Sequence, residues 1–302
     1  MTGSPLRESH EAPPEPAQAY SRLPPTAMPD HRIPEANLAE LPAACGVYVF
    51  HGEGALPLYI GKSVNIRSRV LAHLREPAEA RMLAQACRVS WQRTAGEVGA
   101  LLLESHWVKT RQPLFNKRLR RSRSLCAWTL GPSAPLLRLV HSRDQDFARS
   151  PGLYGLYASA HAAQQALRTL AEEQQLCLSR LGLESASARG CFARQLGRCA
   201  LCAGREPASL HDARLQAALV QWQVQAWPFE GAVGLVEREG DWIQTHVLQH
   251  WAYLGTVEGC ALRLPPDHKP PPFDLDGYRI LVRPLLTDQA ELLLTAAPAR
   301  AS

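Results

Sequence analysis

Six polar residues, spread over the segment from residue 48 to residue 116, have side chains of the types that could hydrolyse a phosphodiester. That reaction needs a base for the attacking water, stabilisation of charge on the phosphate, and assistance for the leaving oxygen. Tyrosine hydroxyls, basic groups and a carboxylate that binds a metal ion are side chains able to supply these functions. The six residues are Tyr48, Tyr59, Lys62, Arg69, Glu104 and Asn116.

The same region is the most basic part of the chain. Residues 59–123 hold 14 Lys and Arg against 4 Asp and Glu, although the net charge of all 302 residues is only +5. A basic segment in an otherwise acidic chain indicates a polyanionic partner such as DNA. The segment ends in KRLRRSR (117–123), which we expect to follow a phosphate backbone, the alternative being an ordinary solvated surface.

The elements that must position these residues are those of a small α/β unit. Two strands joined in a hairpin, a third alternating strand and two helices are expected, with Pro113 ending the second helix. Ser63 is the expected N-cap of the first helix. The predicted strands are GVYVF (46–50), LYIG (58–61) and CRVSWQR (87–93), and the predicted helices cover 63–74 and 98–111.

One face of the first predicted helix is polar. Asn65, Arg69 and His73 recur at a spacing of four residues, so they share a face that can line a cleft. A second face is apolar and suits packing against a core. Its members are Ile66, Val70 and Leu74.

Glu104 lies in an apolar stretch of the second helix, between ALLL and SHWV. A buried carboxylate needs a partner, and a hard cation such as Mg²⁺ is a suitable one. The ordinary alternative is a glutamate on the solvated edge of an amphipathic helix. Tyr48 and Tyr59 likewise have an ordinary alternative, as strand residues of the core.

The two tyrosine motifs resemble a known signature. GVY (46–48) and YIG (59–61), with eleven residues from tyrosine to tyrosine, resemble the GIY-YIG nuclease motif. With Lys62, Arg69, Glu104 and Asn116 in order, the segment is similar to the N-terminal nuclease domain of UvrC-type excinucleases, which incise damaged DNA. His73 stands where UvrC has a third tyrosine, and this substitution and the short chain are closer to the stand-alone UvrC homologues of the Cho branch.

The resemblance implies a mechanism and partners. Glu104 is the implied ligand of Mg²⁺ or Mn²⁺, Tyr48 the favoured general base, and Arg69 the clamp on the phosphate. Because an imidazole titrates near neutral pH, His73 is the alternative base. The implied activity is incision of one strand of damaged DNA, 3′ to the lesion, in nucleotide excision repair on a UvrB–DNA complex formed with UvrA.

Four of the eight cysteines fall within 26 residues, spaced C-x13-C-x7-C-x2-C. Four thiolates can bind one zinc ion or an iron–sulfur cluster, and spacing alone does not choose. Their surroundings resemble the UvrC stretch in which family members bind a four-iron–four-sulfur cluster, although the last spacing there is x3. Four free cysteines are the ordinary alternative. The four are Cys177, Cys191, Cys199 and Cys202.

Composition divides the chain into four parts. We expect a disordered Pro-rich tail (1–36), the nuclease domain (37–123), a helical cysteine-containing segment (124–225) with a predicted helix over 159–177, and a small β-rich module (226–302). No run of about 18 apolar residues predicts a membrane span. The N-terminus lacks the apolar core of a secretory signal, so a cytoplasmic protein is expected.

Two other functions fit parts of the same pattern. One is a non-catalytic DNA-binding module with a metal-stapled loop, although the complete set from Tyr48 to Asn116 disfavours loss of catalysis. The other is a free-standing, structure-specific GIY-YIG nuclease, which the absence of a recognisable sequence-reading module disfavours.

Overall fold

The structure is a computed structural model in which the strands of the described residues form three antiparallel sheets. The basic run 117–123 and residues 1–30 of the predicted tail lie outside the described part. None of the helices within that part combines the length and apolar character needed to cross a membrane. The structure describes residues 31–116, 124–185, 189–264, 272–287 and 290–294.

The first sheet carries the predicted α/β unit and has the strand order β2-β1-β3. One face of the sheet packs against the helix that follows β2, and the other face packs against the long fourth helix. The elements are α1 (Glu35–Ala39), β1 (Gly46–His51), β2 (Pro57–Ser63), α2 (Ile66–His73), α3 (Ala80–Leu83), β3 (Arg88–Arg93) and α4 (Glu97–Arg111).

Helix α2 begins two residues later than expected. Ser63 is the last residue of β2, and the N-cap is Asn65, whose side chain accepts the Ser68 N–H at 3.0 Å. An asparagine in extended backbone conformation is a strong N-cap. Asn65 therefore caps the helix instead of belonging to the polar face that holds Arg69 and His73.

Both outer strands of the first sheet are closed by an asparagine side chain. Asn37 accepts the Val89 N–H at 2.7 Å and donates to the Val89 carbonyl at 3.0 Å, on the outer side of β3. Asn116 accepts the Ile60 N–H at 2.9 Å and donates to its carbonyl at 2.8 Å, on the outer side of β2. Each amide thus pairs like a neighbouring strand and protects an edge.

Residues 31–36, the described end of the predicted disordered tail, are attached to the first sheet and its core. Ile33 is buried at 4% exposure in the core under α2, and the Arg32 N–H donates to the Ala86 carbonyl at 3.0 Å. One apolar side chain and one backbone hydrogen bond therefore hold a stretch that the sequence assigned to the tail.

The second sheet, in the order β5-β4-β6-β7, lies against the helices of the cysteine-containing segment. The helix predicted over 159–177 ends at Glu173, because Gln175 adopts a left-handed conformation (φ 52°) and the Leu176 N–H bonds to the Ala171 carbonyl. The elements are β4 (Cys126–Leu130), β5 (Leu137–His141), β6 (Leu153–Tyr157), α5 (Ala160–Glu173), α6 (Leu178–Leu181), α7 (Phe192–Gln195), α8 (Ala208–Leu219) and β7 (Gln223–Val224).

The third sheet, in the order β10-β9-β8-β11, confirms the predicted β-rich C-terminal region. The run GYRILVRPLL, assigned to that module from sequence, forms a helix instead, because Asp274 caps it and its buried residues recur every four positions. The elements are β8 (Val233–Glu239), β9 (Trp242–Gln249), β10 (Ala252–Glu258), α9 (Leu275–Leu286) and β11 (Glu291–Leu294).

The second and third sheets share one hydrophobic core, and α4 reaches it. Ala127 of β4 and Leu125 just before that strand pack there with Val233 and Leu235 of β8, and Leu102 of α4 joins the same cluster. The opposite side of α4 packs on the first sheet. The mixed α/β architecture predicted from the sequence is therefore confirmed, and α4 lies where its parts meet.

Candidate functional site

Tyr48 lies across the first sheet, over Gly61 on the neighbouring strand. The two residues are paired in the register of β1 and β2, and Tyr48 is only 1% exposed. A Cβ atom on residue 61 would overlap the Tyr48 hydroxyl and the Tyr59 ring. The glycine of the YIG motif is therefore required by the close approach of the two tyrosine rings.

The Tyr48 hydroxyl is bonded to a histidine that is in turn bonded to a carboxylate. Tyr48 Oη lies 2.6 Å from His73 Nε2, and His73 Nδ1 contacts the Glu79 carboxylate. An ionised carboxylate only accepts hydrogen bonds, so Nδ1 carries the proton. Nε2 of the neutral ring is then an acceptor, and the Tyr48 O–H donates to it.

Burial moves the pKa values of this pair in opposite directions. It raises the pKa of Tyr48, assisted by Tyr59 and opposed by a hydrogen bond from Arg69. It lowers the pKa of His73, opposed by the Glu79 carboxylate. At neutral pH the tyrosine is therefore protonated and the imidazole is neutral, which agrees with the direction of the hydrogen bond.

Tyr59 and Arg69 complete the group around Tyr48. The Tyr59 ring centroid lies 6.3 Å from that of Tyr48 and 5.4 Å from that of His73. The hydrogen bond between the hydroxyls of Tyr59 and Tyr48 lowers the pKa of Tyr59, against the rise that burial causes. The exposed Arg69 guanidinium donates to the Tyr48 oxygen, which leaves its positive charge at the open side of the site.

Glu104 is a half-buried carboxylate of α4 that faces this group across β2. Burial raises its pKa, and the Lys62 backbone N–H, which it accepts, offsets part of the rise. No side chain in the described ranges forms an ion pair with it, because the Lys62 ammonium turns to Glu97. A partly desolvated carboxylate without a cationic partner is the kind of ligand that a divalent cation fits.

The structure brings together five of the residues selected from the sequence and gives the others a different position. Tyr48, Tyr59, Arg69, His73 and Glu104 form one group. Lys62 contributes its backbone N–H to Glu104, and Asn116 holds β2 rather than facing the tyrosines. Glu79 was missed, because it follows α2 beyond Pro77, where no helical spacing connects it with His73.

The four cysteines of the quartet come together in the second part of the chain. Their sulfur atoms all lie within 4.8 Å of one another, and Cys177 and Cys202 are 3.5 Å apart. Zn–S bonds of about 2.3 Å place tetrahedral sulfurs about 3.8 Å apart, so the spacing fits a single ion. A four-iron cluster needs the sulfurs further apart, because each thiolate binds a different iron.

Three residues outside the quartet hold the first cysteine in place. The fully buried His211 accepts the Cys177 N–H at 3.0 Å through Nε2, and its Nδ1 lies 3.0 Å from Asp212. Asp212 is bound by both arms of the Arg180 guanidinium, which lowers its pKa to about 2. These residues were not predicted from the sequence, since His211 and Asp212 lie on α8, beyond the last cysteine, and no local spacing connects them with Arg180 of α6.

Three family models match the chain in succession. Residues 44–117 match the UvrC-like GIY-YIG domain, residues 125–221 the UvrC/Cho excinuclease middle domain, and residues 232–299 the excinuclease Cho C-terminal domain. Among solved structures, the magnesium-bound N-terminal endonuclease domain of UvrC from Thermotoga maritima is similar over 27% of this chain and 93% of that chain, with 26% identity and a TM-score of 0.26.

Curated relatives match most of the chain. Excinuclease Cho of Escherichia coli strain K12 is 50% identical over 258 residues, which cover 84% of this chain and 87% of the relative. Excinuclease Cho of Salmonella typhi is 50% identical over 268 residues, covering 88% and 90%. The UvrABC system protein C of Frankia casuarinae is 32% identical over 57% of this chain and 25% of its own length. The chain therefore belongs to the excinuclease Cho family and is a DNA endonuclease of the GIY-YIG type.

Proposed function

We propose that the protein incises one strand of damaged DNA, 3′ to the lesion, in nucleotide excision repair with UvrA and UvrB. The observation that carries the chemistry is the hydrogen-bonded series Tyr48–His73–Glu79 beside the Glu104 carboxylate, which forms no ion pair within the described part of the chain. The partners and the side of incision are supported by the similarity to the Cho and UvrC excinucleases. A non-catalytic DNA-binding module would need neither the proton acceptors nor Glu104.

Tyr48 and His73 together act as the base. A tyrosine whose pKa is raised stays protonated at neutral pH, so it takes a proton from water only if it gives up its own. The 2.6 Å hydrogen bond to His73 Nε2 provides that route. The hydroxyl accepts the proton of the attacking water while its original proton moves to Nε2, and Glu79 stabilises the resulting imidazolium.

Arg69 and Glu104 act on the phosphate. Arg69 extends an exposed guanidinium over the Tyr48 oxygen, where it can donate to a phosphate oxygen as the water attacks. Glu104 would hold Mg²⁺ or Mn²⁺, with its carboxylate oriented by the Lys62 N–H. When bound there, a divalent cation supplies Lewis-acid stabilisation of the charge on the phosphate. The phosphorus–oxygen bond to the leaving sugar breaks, and that oxygen takes a proton from solvent.

The surface around the site supports a DNA partner. Arg67, Arg69, Arg75 and Arg81 are all exposed on and just beyond α2. Exposed arginines near the site attract a phosphate backbone, and neutralising it releases counterions. Binding to DNA is therefore expected to weaken steeply as the salt concentration rises.

The partnership is tested by incision of a duplex that carries one bulky lesion. With Mg²⁺ present, we expect efficient cleavage on the 3′ side of the lesion only when UvrA and UvrB are added with ATP. An undamaged duplex of the same sequence is the control. Equal cleavage of the lesion duplex without UvrA and UvrB would instead identify a free-standing nuclease.

The Glu104→Gln variant tests the effect of this carboxylate on metal binding and on stability in separate measurements. Because the pKa of Glu104 is higher in the fold than in the unfolded chain, its ionisation destabilises the metal-free protein as the pH rises above the unfolded value. Glutamine cannot ionise, so the metal-free variant should melt at a higher temperature than wild type at pH 7. It should also lose incision, and added Mg²⁺ should no longer raise its melting temperature. Retention of more than a tenth of wild-type incision would rule out the metal-ligand role.

Tyr48 and His73 should behave as one unit in a double-mutant cycle. Tyr48→Phe and His73→Ala each remove the proton route, and each should lower kcat by about 10²–10⁴. The double variant should be no slower than the worse single variant, because the lost step is the same. In wild type, incision should fall on the acid side as His73 becomes protonated, below its ordinary pKa. His106→Ala, at an exposed position of α4, is the control. Additive losses would mean that the two residues act separately.

We also propose that the cysteine quartet binds a metal centre that holds its loop together. The sulfur spacing as it stands supports a single tetrahedral ion such as zinc, and the similarity to UvrC supports a four-iron–four-sulfur cluster, which would require the sulfurs to move apart. Burial raises the pKa of the Cys177 and Cys191 thiols, so binding must displace their protons.

Purified without oxygen, the protein should contain stoichiometric metal at the quartet. One zinc per chain and a colourless protein would identify the single ion. Iron, sulfide and a broad absorbance at about 400 nm would identify the cluster. Cys191→Ser should lose the metal and lower the melting temperature. Cys126→Ser, an equally buried cysteine of β4, should retain the metal. A fully stable protein without metal would refute the proposal.

A further inference from the structure

Helix α4, which carries Glu104, begins without a capping side chain of its own. Its N-cap is Gly96, which has no side chain to accept the free N–H groups of the first turn. The acceptor comes from β8 of the C-terminal sheet instead. Glu237 Oε1 accepts the Val98 N–H at 2.9 Å, and its Oε2 accepts the Gly99 N–H at 2.7 Å.

Two glycines make this approach possible. A Cβ atom on Gly96 would overlap the Glu237 carboxylate, and a Cβ atom on Gly99 would overlap the His246 imidazole. Neither glycine has a positive φ. Their role is therefore to leave space for side chains of the third sheet, and not to allow an unusual backbone conformation.

Glu237 is itself held in one position. His246, which is completely buried, donates to Glu237 Oε2 through Nε2 at 2.9 Å, and its Nδ1 lies 2.8 Å from Thr256 Oγ1. Burial alone would raise the pKa of Glu237, but the hydrogen bonds from His246 and Gly99 outweigh it and the pKa is lowered. A charged carboxylate thus faces the positive end of the α4 dipole.

The C-terminal region also contacts α4 at two further points. Gln244 of β9 accepts the Ala95 N–H at 3.0 Å, just before the helix begins. Towards its other end, the Lys109 ammonium lies 2.6 Å from Asp274 and 2.9 Å from Asp276, at the start of α9. The third sheet and α9 therefore fix both ends of the helix.

We propose that Glu237 is a positioning residue of the nuclease site, which sets the rotation and height of α4 and thereby places the Glu104 carboxylate for its divalent cation. Glu104 lies five residues beyond Gly99, about 7.5 Å along the axis at about 1.5 Å per residue. A rigid helix transmits a displacement of its first turn over that distance. The inference rests on the role proposed above for Glu104, and it gives the C-terminal module a part in catalysis.

The test compares two glutamates of the third sheet in the full-length protein. Glu237→Gln removes the charge that accepts the α4 N–H groups, whereas Glu291→Gln removes an exposed charge on the same sheet whose hydrogen bonds are to Arg238. Binding of Mn²⁺ in the absence of DNA is measured from the electron paramagnetic resonance signal of the free ion. The Mg²⁺ concentration that gives half-maximal incision is measured in parallel.

Glu237→Gln should weaken Mn²⁺ binding about 10–100-fold, as changes to residues behind a metal ligand generally do. It should raise the half-maximal Mg²⁺ concentration similarly, and incision should largely recover at saturating Mg²⁺. Glu291→Gln should match wild type in both measurements. Glu237→Asp, which keeps the charge but is shorter by one methylene, should shift both values in the same direction by less, and it is the decisive variant if Glu237→Gln fails to fold.

Wild-type affinity for Mn²⁺ in Glu237→Gln and Glu237→Asp would overturn the inference, even if their melting temperatures fell, because Glu237 would then be a helix cap only. Glu104→Gln separates this failure from that of the proposed metal site. If Glu104→Gln loses Mn²⁺ binding while the Glu237 variants keep it, the positioning role alone is wrong. If Glu104→Gln keeps wild-type Mn²⁺ binding, the ligand assignment itself is wrong.

Discussion

Partial burial of the Glu104 carboxylate is a cost that the packing of α4 imposes on the protein. Desolvation raises the pKa of this group, and the Lys62 N–H returns only part of the lost hydration. Its burial follows from the packing of the helix, because Ala100 and Val108, one turn before and one turn after Glu104, pack against the first sheet, while Leu102 enters the core of the other two sheets. A divalent cation is the partner that we propose for it, and the packing of α4 would then create the site for chemistry.

Burial also sets the protonation states of Tyr48 and His73, the two residues that are proposed to transfer the proton. Burial in one apolar environment keeps Tyr48 protonated and His73 neutral, so the shared proton has a defined place before substrate binds. Groups whose surroundings push their pKa values apart take distinct acid and base roles. In the mechanism that we propose, Glu79 is the partner of the imidazolium that forms when the proton moves. A tyrosine at position 73 would have no second ring atom to bind Glu79, which is how a histidine changes the mechanism available here.

The spacing of residues within short segments predicted much of this arrangement, whereas contacts between distant segments were not predictable from the sequence. The YIG glycine, the face shared by Arg69 and His73, and the gathering of the cysteines all follow from short-range patterns. The cap that Glu237 supplies to α4 joins residues about 140 positions apart, and no periodicity encodes it. The catalytic role selected for Asn116 stays a prediction, and its contact with the edge of β2 depends on tertiary structure. The GYRILVRPLL run, assigned to the β-rich module, is a helix because its apolar spacing of four outweighed its branched residues.

The cysteine loop and the C-terminal sheet differ in how they are stabilised. The loop between α6 and α8 buries little besides its cysteines, and Phe192 and Leu196 remain 61% and 53% exposed. Such a loop has little apolar surface to offset its ordering entropy, and the metal centre that we propose for the quartet would supply the difference through its ligand bonds. The C-terminal sheet is stabilised by the core that it shares with the second sheet, so its polar side chains Glu237 and His246 are available to contact a neighbouring helix. Loss of the metal should thus disorder the cysteine loop locally, whereas loss of the Glu237 contact should be felt at the nuclease site.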